Sequence, residues 1–233
     1  MTVRSRLAAG AVALALAAPP AAAGVVDLDY LFSTTFGGGI GPDGILVQTF
    51  RPTISGDLTR LDLQLYASGI DPGNSGAEAT IVSSTGGVPD IAFDPVSDVL
   101  TLGALGAASR GPLAPGSGLD GFDVQGGAFA PFDFSGAGVH LHSGALYAIV
   151  LRQTDTTHGT LLWNYEPSGG YADGQAGTLN LASATATRPT YNDDIDYSFR
   201  THMTPVPLPA GLPMLLSALG LGALLAATRR ATR

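Results

Sequence analysis

The 233-residue chain contains no cysteine, so disulfides, thiolate metal sites and a cysteine nucleophile are all excluded. It contains no lysine either. All 11 basic residues are arginine, and five of them (Arg4, Arg6, Arg229, Arg230 and Arg233) lie in terminal segments that carry no acid. Between those segments 6 arginines face 19 acidic residues, a formal charge of −13. Such a field repels phosphates, so nucleic acid is not an expected partner. Glutamate is scarce, with only Glu78 and Glu166 beside 17 aspartates, and Trp163 is the single tryptophan. Tandem repeats, heptads and blocks of like charge are also missing.

What the chain has in quantity is turn chemistry. Its 32 glycines and 16 prolines favour short strands and tight turns over long helices. The hydrophobic pattern agrees, because it alternates with period two. In "LTRLDLQLYASG", Leu61, Leu63 and Leu65 point one way while Arg60, Asp62, Gln64 and Tyr66 point the other, which predicts a half-buried strand ending at Gly69. "DIDYSFRTHM" repeats the device, with Ile195, Tyr197, Phe199, Thr201 and Met203 on one face and Asp194, Asp196, Ser198, Arg200 and His202 on the other. Further strand-like runs are "ILVQTFRP", "AEATIVSS", "SDVLTLGAL", "GFDVQGGAF", "ALYAIVLRQT" and "LLWNYEP". "LGALGAAS" fits a strand or a helical turn equally well. "GGGIGPDG" and "GPLAPGSGLDG" read as plain turns, since neither sits in a phosphate-binding context. The expectation is an all-β chain: one antiparallel β-sandwich of jelly-roll-like type over residues 24–203.

Residues able to do chemistry are few. Glu166 follows Trp163 and Tyr165, placing a carboxylate beside aromatic rings as in a sugar cleft, but a glycosidase needs a second carboxyl group across the site. No G-x-S-x-G elbow is present. His140 and His142 flank Leu141 and so share one face of a strand, where they form either a wet edge or two ligands of a metal site. The cluster Asn192, Asp193, Asp194 and Asp196 offers closely spaced oxygens for calcium, without the spacing of an EF-hand, and otherwise forms an acidic turn. Asp120 and Asp123 are a weaker pair of the same kind. For a glycan contact the best constellation is Trp163, Tyr165 and Tyr171, near Asn164, Asp173 and Gln175. A single tryptophan is also the natural core anchor of a sandwich.

The two ends carry their own signals. Residues 1–23 have Arg4 and Arg6, an apolar run from Leu7 to Ala18, and Ala21-Ala22-Ala23 as a small-residue cleavage site. That pattern is a secretory signal peptide, and it implies Sec-type export machinery and signal peptidase as partners. Its apolar run is shorter than the roughly 20 residues a bilayer span requires. At the other end, Pro205, Pro207, Pro209 and Pro213 keep the chain extended until about Ala210. Leu212 to Ala227 is then apolar apart from Pro213 and Ser217, and Arg229, Arg230 and Arg233 close the sequence. A transmembrane helix over about residues 211–228 is expected, with the arginines on the cytoplasmic side.

Two resemblances follow from these residues. Gln48, Phe50 and Pro52, then Leu141, Gly144, Tyr147, Val150 and Leu151, then Tyr171 and Gly174, then Asp196, Phe199, Arg200 and Thr201 resemble the landmarks of an exported, choice-of-anchor-like β-sandwich module of bacterial surface proteins. The resemblance implies a jelly-roll-like, non-enzymatic body. Val206, Pro207, Leu208, Pro209 and Ala210, followed by the apolar stretch and the arginines, resemble the VPLPA variant of the PEP-CTERM sorting signal, with Leu208 where the Pro-Glu-Pro form has glutamate. This implies sorting by an exosortase-like membrane protease in a Gram-negative bacterium that makes exopolysaccharide. The expected protein is held at the inner membrane, then moved to the envelope surface or extracellular matrix for a structural or adhesive role. The competing readings are a lectin-like module, with exopolysaccharide as its partner, and a secreted polysaccharide-active enzyme.

Overall fold

The computed structural model describes residues 24–31, 36–41, 43–68, 76–110, 129–154, 160–167 and 169–206. The expected signal peptide, Pro207 to Arg233 with the expected span, "GPLAPGSGLDG", Asp120, Asp123 and His158 lie outside the described residues. Among the described residues every regular element is a strand, and no helix is long and apolar enough to cross a membrane.

The first strands are β1 (Val25–Tyr30), β2 (Phe36–Ile40), β3 (Gly44–Phe50), β4 (Gly56–Ser68) and β5 (Ala77–Val82). Two small hairpins follow, β6 (Ser84–Thr85) with β7 (Val88–Pro89) and β8 (Ile91–Asp94) with β9 (Val99–Leu102). Then come β10 (Ala104–Arg110), β11 (Phe129–Asp133), β12 (His140–Leu141), β13 (Tyr147–Gln153) and β14 (Thr160–Glu166). The last are β15 (Ala176–Asn180), β16 (Thr190–Asn192), β17 (Asp196–Tyr197) and β18 (Phe199–Pro205).

All pairings are antiparallel. One large sheet runs β1-β18-β4-β14-β17, with β11 and β12 also on β4 and β2 on β14. The other runs β10-β5-β13-β3-β15-β16. Because Leu61 and Leu63 pair with β18 on one side and β11 on the other, four strands of the first sheet stand in the order β1-β18-β4-β11. Successive strands keep changing sheets: β3 to β4, β4 to β5, β10 to β11, β13 to β14 and β14 to β15 all cross. The core between the sheets draws on both, with Leu61, Leu63, Leu65 and Phe199 from one and Phe50, Ile149 and Leu151 from the other. Each such side chain contributes about 1.5–3 kcal/mol by leaving water.

A second apolar cluster lies on the other side of the second sheet, where Ile45, Val47, Ala148 and Val150 are covered by Ile91 and Phe93 of β8. Residues 45–50 are therefore buried on both faces, as expected of a strand enclosed between two layers.

The alternation in β4 and β18 is present as expected, but several residues of the polar faces are buried while others, such as Arg60, stay exposed. Asp62 is 1% and Gln64 4% exposed. Asp62 is capped by Arg60 Nε and by His202 Nε2 at 2.8 Å, while Gln64 Oε1 accepts from Asn164 Nδ2 at 2.9 Å. "LGALGAAS" is no helical turn: Leu102 ends β9, and Ala104 to Ser109 lie in β10. The glycines of "GGGIGPDG" are not all turn residues either: Gly37–Gly39 lie within β2 and pair with β14. Gly38 stands opposite Trp163, and a Cβ there would meet the Tyr197 hydroxyl at 2.6 Å. Glycine is thus the space into which the Tyr197 ring packs.

Candidate functional site

Three short segments converge on one edge of the molecule. The first is the hairpin turn Thr85-Gly86-Gly87-Val88, where both glycines have positive φ (63° and 83°), the requirement of a two-residue turn whose twist matches its strands. The second is the His142–Leu146 segment. The third is the Tyr171–Gln175 loop, fixed to β3 by Gln175 N donating to Thr49 Oγ1 at 2.7 Å and Thr49 N donating to Gln175 O at 3.0 Å. Between them lie two open depressions of about 510 and 440 Å³ that share Arg51, Gly87 and Leu146 and so form one groove. Thr49, Asp173, Gln175 and Tyr191 border one end. Ser84, Leu105, His140, His142 and Tyr147 border the other.

Arg51 stands where the two depressions meet. Its main-chain N–H donates to Tyr171 Oη at 2.7 Å, and its Nη1 donates to Gly144 O at 2.8 Å. Arg60, Arg152 and Arg200 each pair with a carboxylate; among the described residues Arg51 and the exposed Arg188, which borders a separate depression, make no such pair. A guanidinium has five N–H donors, so Arg51 retains donor capacity toward the groove. In a body of charge −13, this is an unpaired cation facing a concave surface. Tyr191 lines the groove with its hydroxyl buried and without a hydrogen-bond partner, and burial pushes its pKa up to about 12.

The glycan constellation expected from sequence is taken apart by this arrangement. Trp163 is 0% exposed, stacked on Tyr197 at 4.6 Å, with Nε1 donating to Ser198 O at 2.8 Å. Tyr171 is 3% exposed, its ring 4.2 Å from Tyr30, and burial pushes its pKa up to about 12. Tyr165 is half-buried, edge-on to Tyr197 at 6.2 Å. The aromatic faces thus pack on protein, and Asn164 is buried with Gln64. Of the whole set only Asp173 and Gln175 reach the groove.

The acidic cluster is also divided. Asp193 and Asp194 are exposed, the first accepting from Gln175 Nε2, the second donating its main-chain N–H to Asn192 Oδ1 at 2.9 Å. Asp196 is 2% exposed: Oδ1 accepts from Gln48 Nε2 at 2.9 Å, and Oδ2 accepts from Gly170 N at 3.0 Å and Tyr171 N at 2.9 Å. Burial raises its pKa against the pull of those donors. With its oxygens turned inward, Asp196 does not join Asp193 and Asp194 in a calcium loop. Among the described residues no group of three or more His, Asp or Glu side chains converges as metal ligands.

Glu166 stands opposite Asp196 in the β14–β17 register, beside the Tyr165–Tyr197 pair. Asp196 is nonetheless saturated by N–H donors and closed to solvent. His140 and His142 are adjacent, their rings 5.0 Å apart, with His140 Nδ1 at 2.8 Å from Asp57 Oδ1.

No protein-family model matches this chain, and no curated protein matches it.

A smaller depression of about 390 Å³ near Gly41 and Asn180 is lined mainly by glycine and aliphatic groups and offers less chemistry. Arg51 escaped sequence reasoning because what marks it is its place in the groove without a carboxylate partner. No local pattern encodes that.

Proposed function

We propose that this is an exported, non-enzymatic protein of the cell surface or extracellular matrix, whose jelly-roll body adheres to acidic polysaccharide through the Arg51 groove. The strand orders β1-β18-β4-β11 and β3-β13-β5-β10, with repeated crossing between sheets, support the jelly-roll reading. Export and sorting rest on the N-terminal signal and on the resemblance of Val206–Ala210 and the basic tail to the VPLPA class. Two structural facts support that reading: β18 ends at Pro205, and Val206, the first motif residue, is 52% exposed.

The observation that carries the adhesive role is the unpaired Arg51 guanidinium at the centre of an open groove. A carboxylate on a sugar accepts two hydrogen bonds from such a fork, and the exposed Asp173 and Gln175 supply polar groups for neighbouring hydroxyls. The acidic surface around the groove repels a polyanion, so attraction depends on Arg51.

Affinity electrophoresis through gels containing polygalacturonate, compared with gels containing neutral dextran, tests the reading. The chain should be retarded by polygalacturonate alone, and Arg51→Gln should remove the retardation. Equal retardation by both polymers, or none by polygalacturonate, overturns it.

The enzyme reading is less well supported, because Asp196, the carboxylate facing Glu166, has its oxygens engaged and is shut away from solvent.

A further inference from the structure

We infer that His140 and His142 form a binding site for a divalent transition-metal ion, oriented by Asp57. The site starts from the strand pairing. His140 lies opposite Asp57 in the β12–β4 register, so their side chains share a face, and Nδ1 of the histidine sits 2.8 Å from Oδ1 of the aspartate.

A carboxylate only accepts hydrogen bonds, so Nδ1 carries the proton and, in the neutral ring, Nε2 keeps its lone pair. This is the carboxylate–histidine arrangement that fixes the tautomer of metal-bound imidazoles. His142, two residues on, brings a second imidazole to the same side, since Leu141 between them is buried at 0% exposure.

The spacing fits a shared ion. Two imidazole nitrogens each about 2.0 Å from one metal, at an angle of about 90–110°, place their ring centres about 4.5–5.2 Å apart. The observed separation is 5.0 Å. Both rings border the 440 Å³ depression, which leaves room for water or a ligand at the remaining positions.

Two imidazoles with oxygen or water completing the shell suit Cu²⁺ best, then Ni²⁺ and Zn²⁺. They do not suit calcium, which takes six to eight oxygens. The surrounding body, at −13, favours the approach of a cation. Arg51 borders the same depression, but its Nη1 is turned to Gly144 O, and neutral imidazoles bind through lone pairs.

The test is a titration of the full-length chain in detergent micelles with Cu²⁺ alone, followed by calorimetry and electron paramagnetic resonance. One equivalent should bind saturably, with hyperfine coupling from two imidazole nitrogens. His140→Ala and His142→Ala should each weaken binding at least tenfold, and Asp57→Asn by about 10–100-fold. His202→Ala, on the outer face of the first sheet, should change nothing. His140 and Asp57 are exposed, and circular dichroism should show every variant folded. Spectra lacking coordinated imidazole, or an affinity that depends on only one or neither histidine, overturn the site. Because no polysaccharide is present, the outcome is independent of the adhesive role of Arg51.

Discussion

Asp196 is the residue at which chemistry and architecture compete most openly. It is a carboxylate buried at 2% exposure, yet its partners are all donors: Gln48 Nε2, Gly170 N and Tyr171 N. Gln48 cannot turn its amide to suit a new partner, because its Oε1 accepts from Tyr197 N at 2.7 Å and its Nε2 also donates to Thr49 O at 3.1 Å. Asp196→Asn therefore brings an N–H against an N–H and should cost about 1–3 kcal/mol, the usual penalty for a buried polar group left unsatisfied. The pH dependence has a definite sign. Burial raises the folded pKa of Asp196 above its unfolded value, so the fold binds this proton more tightly than the unfolded chain does. The associated stability is fully present below the unfolded carboxylate pKa of about 3.9 and is lost as pH rises through the raised folded value. Asparagine has no such term. Urea denaturation between pH 3.5 and 7 should show wild type ahead of Asp196→Asn by its largest margin at the acid end, narrowing upward. A margin that widens with pH contradicts the assignment.

Among the elements, β2 shows how a strand is built without a side-chain signal. Its sequence is Phe-Gly-Gly-Gly-Ile, and it pairs with β14 so that Gly38 faces Trp163. The ring of Tyr197 occupies the space a Cβ would take, with its Oη at 2.6 Å and Cε1 at 2.8 Å from that position. Tyr197 is 1% exposed and stacked on Trp163, so it has nowhere to retreat. Gly38→Ala should destabilise by about 1–3 kcal/mol through overpacking, a fall in Tm of roughly 2–4 °C per kcal/mol in a body of this size. Tyr197→Phe in the same chain should recover part of the loss, since it removes the nearer contact and leaves Cε1; thermal melts of the two single variants and the double variant check this. The same geometry explains what was legible in the sequence. β4 and β18 announce themselves because leucine and aromatic residues alternate with polar ones, whereas period two is invisible where the residues are glycine. Burial of single residues on the polar faces is hidden for a related reason: Asp62 and Gln64 look wet until His202 and Asn164, distant in sequence, are brought over them. Trp163 and Tyr171 belong to the core by the same tertiary logic, and the groove forms only where the segments 85–88, 142–146 and 171–175 meet around Arg51.

At the scale of the whole molecule, the body and the tail meet at one strand end. β18 lies between β1 and β4 in the first sheet, and its last residues, Thr204 and Pro205, pair with Asp57 and Gly56. Val206 N then donates to Ser55 O at 3.3 Å. Among the described residues the pairing of this end of the chain runs through Val206, so removing Pro207 to Arg233 should leave the melting temperature of the body nearly unchanged. The deleted chain should be found in the soluble exported fraction, because the apolar stretch and its arginines go with the deletion. Substituting only Pro207 and Pro209 by alanine keeps that stretch while altering the motif that a sorting protease would read. This variant should stay in the membrane fraction at full length, while the parent chain is processed to a shorter form. Fractionation with mass spectrometry of the mature C-terminus separates the cases. Retention of the deleted chain in the membrane contradicts anchoring by the tail, and normal processing of the proline variant contradicts recognition of the motif. Deleting from Phe199 onward removes β18 itself, exposes the edges of β1 and β4, and should abolish folding. Together the deletions distinguish a tail that directs the protein from a strand that holds it together.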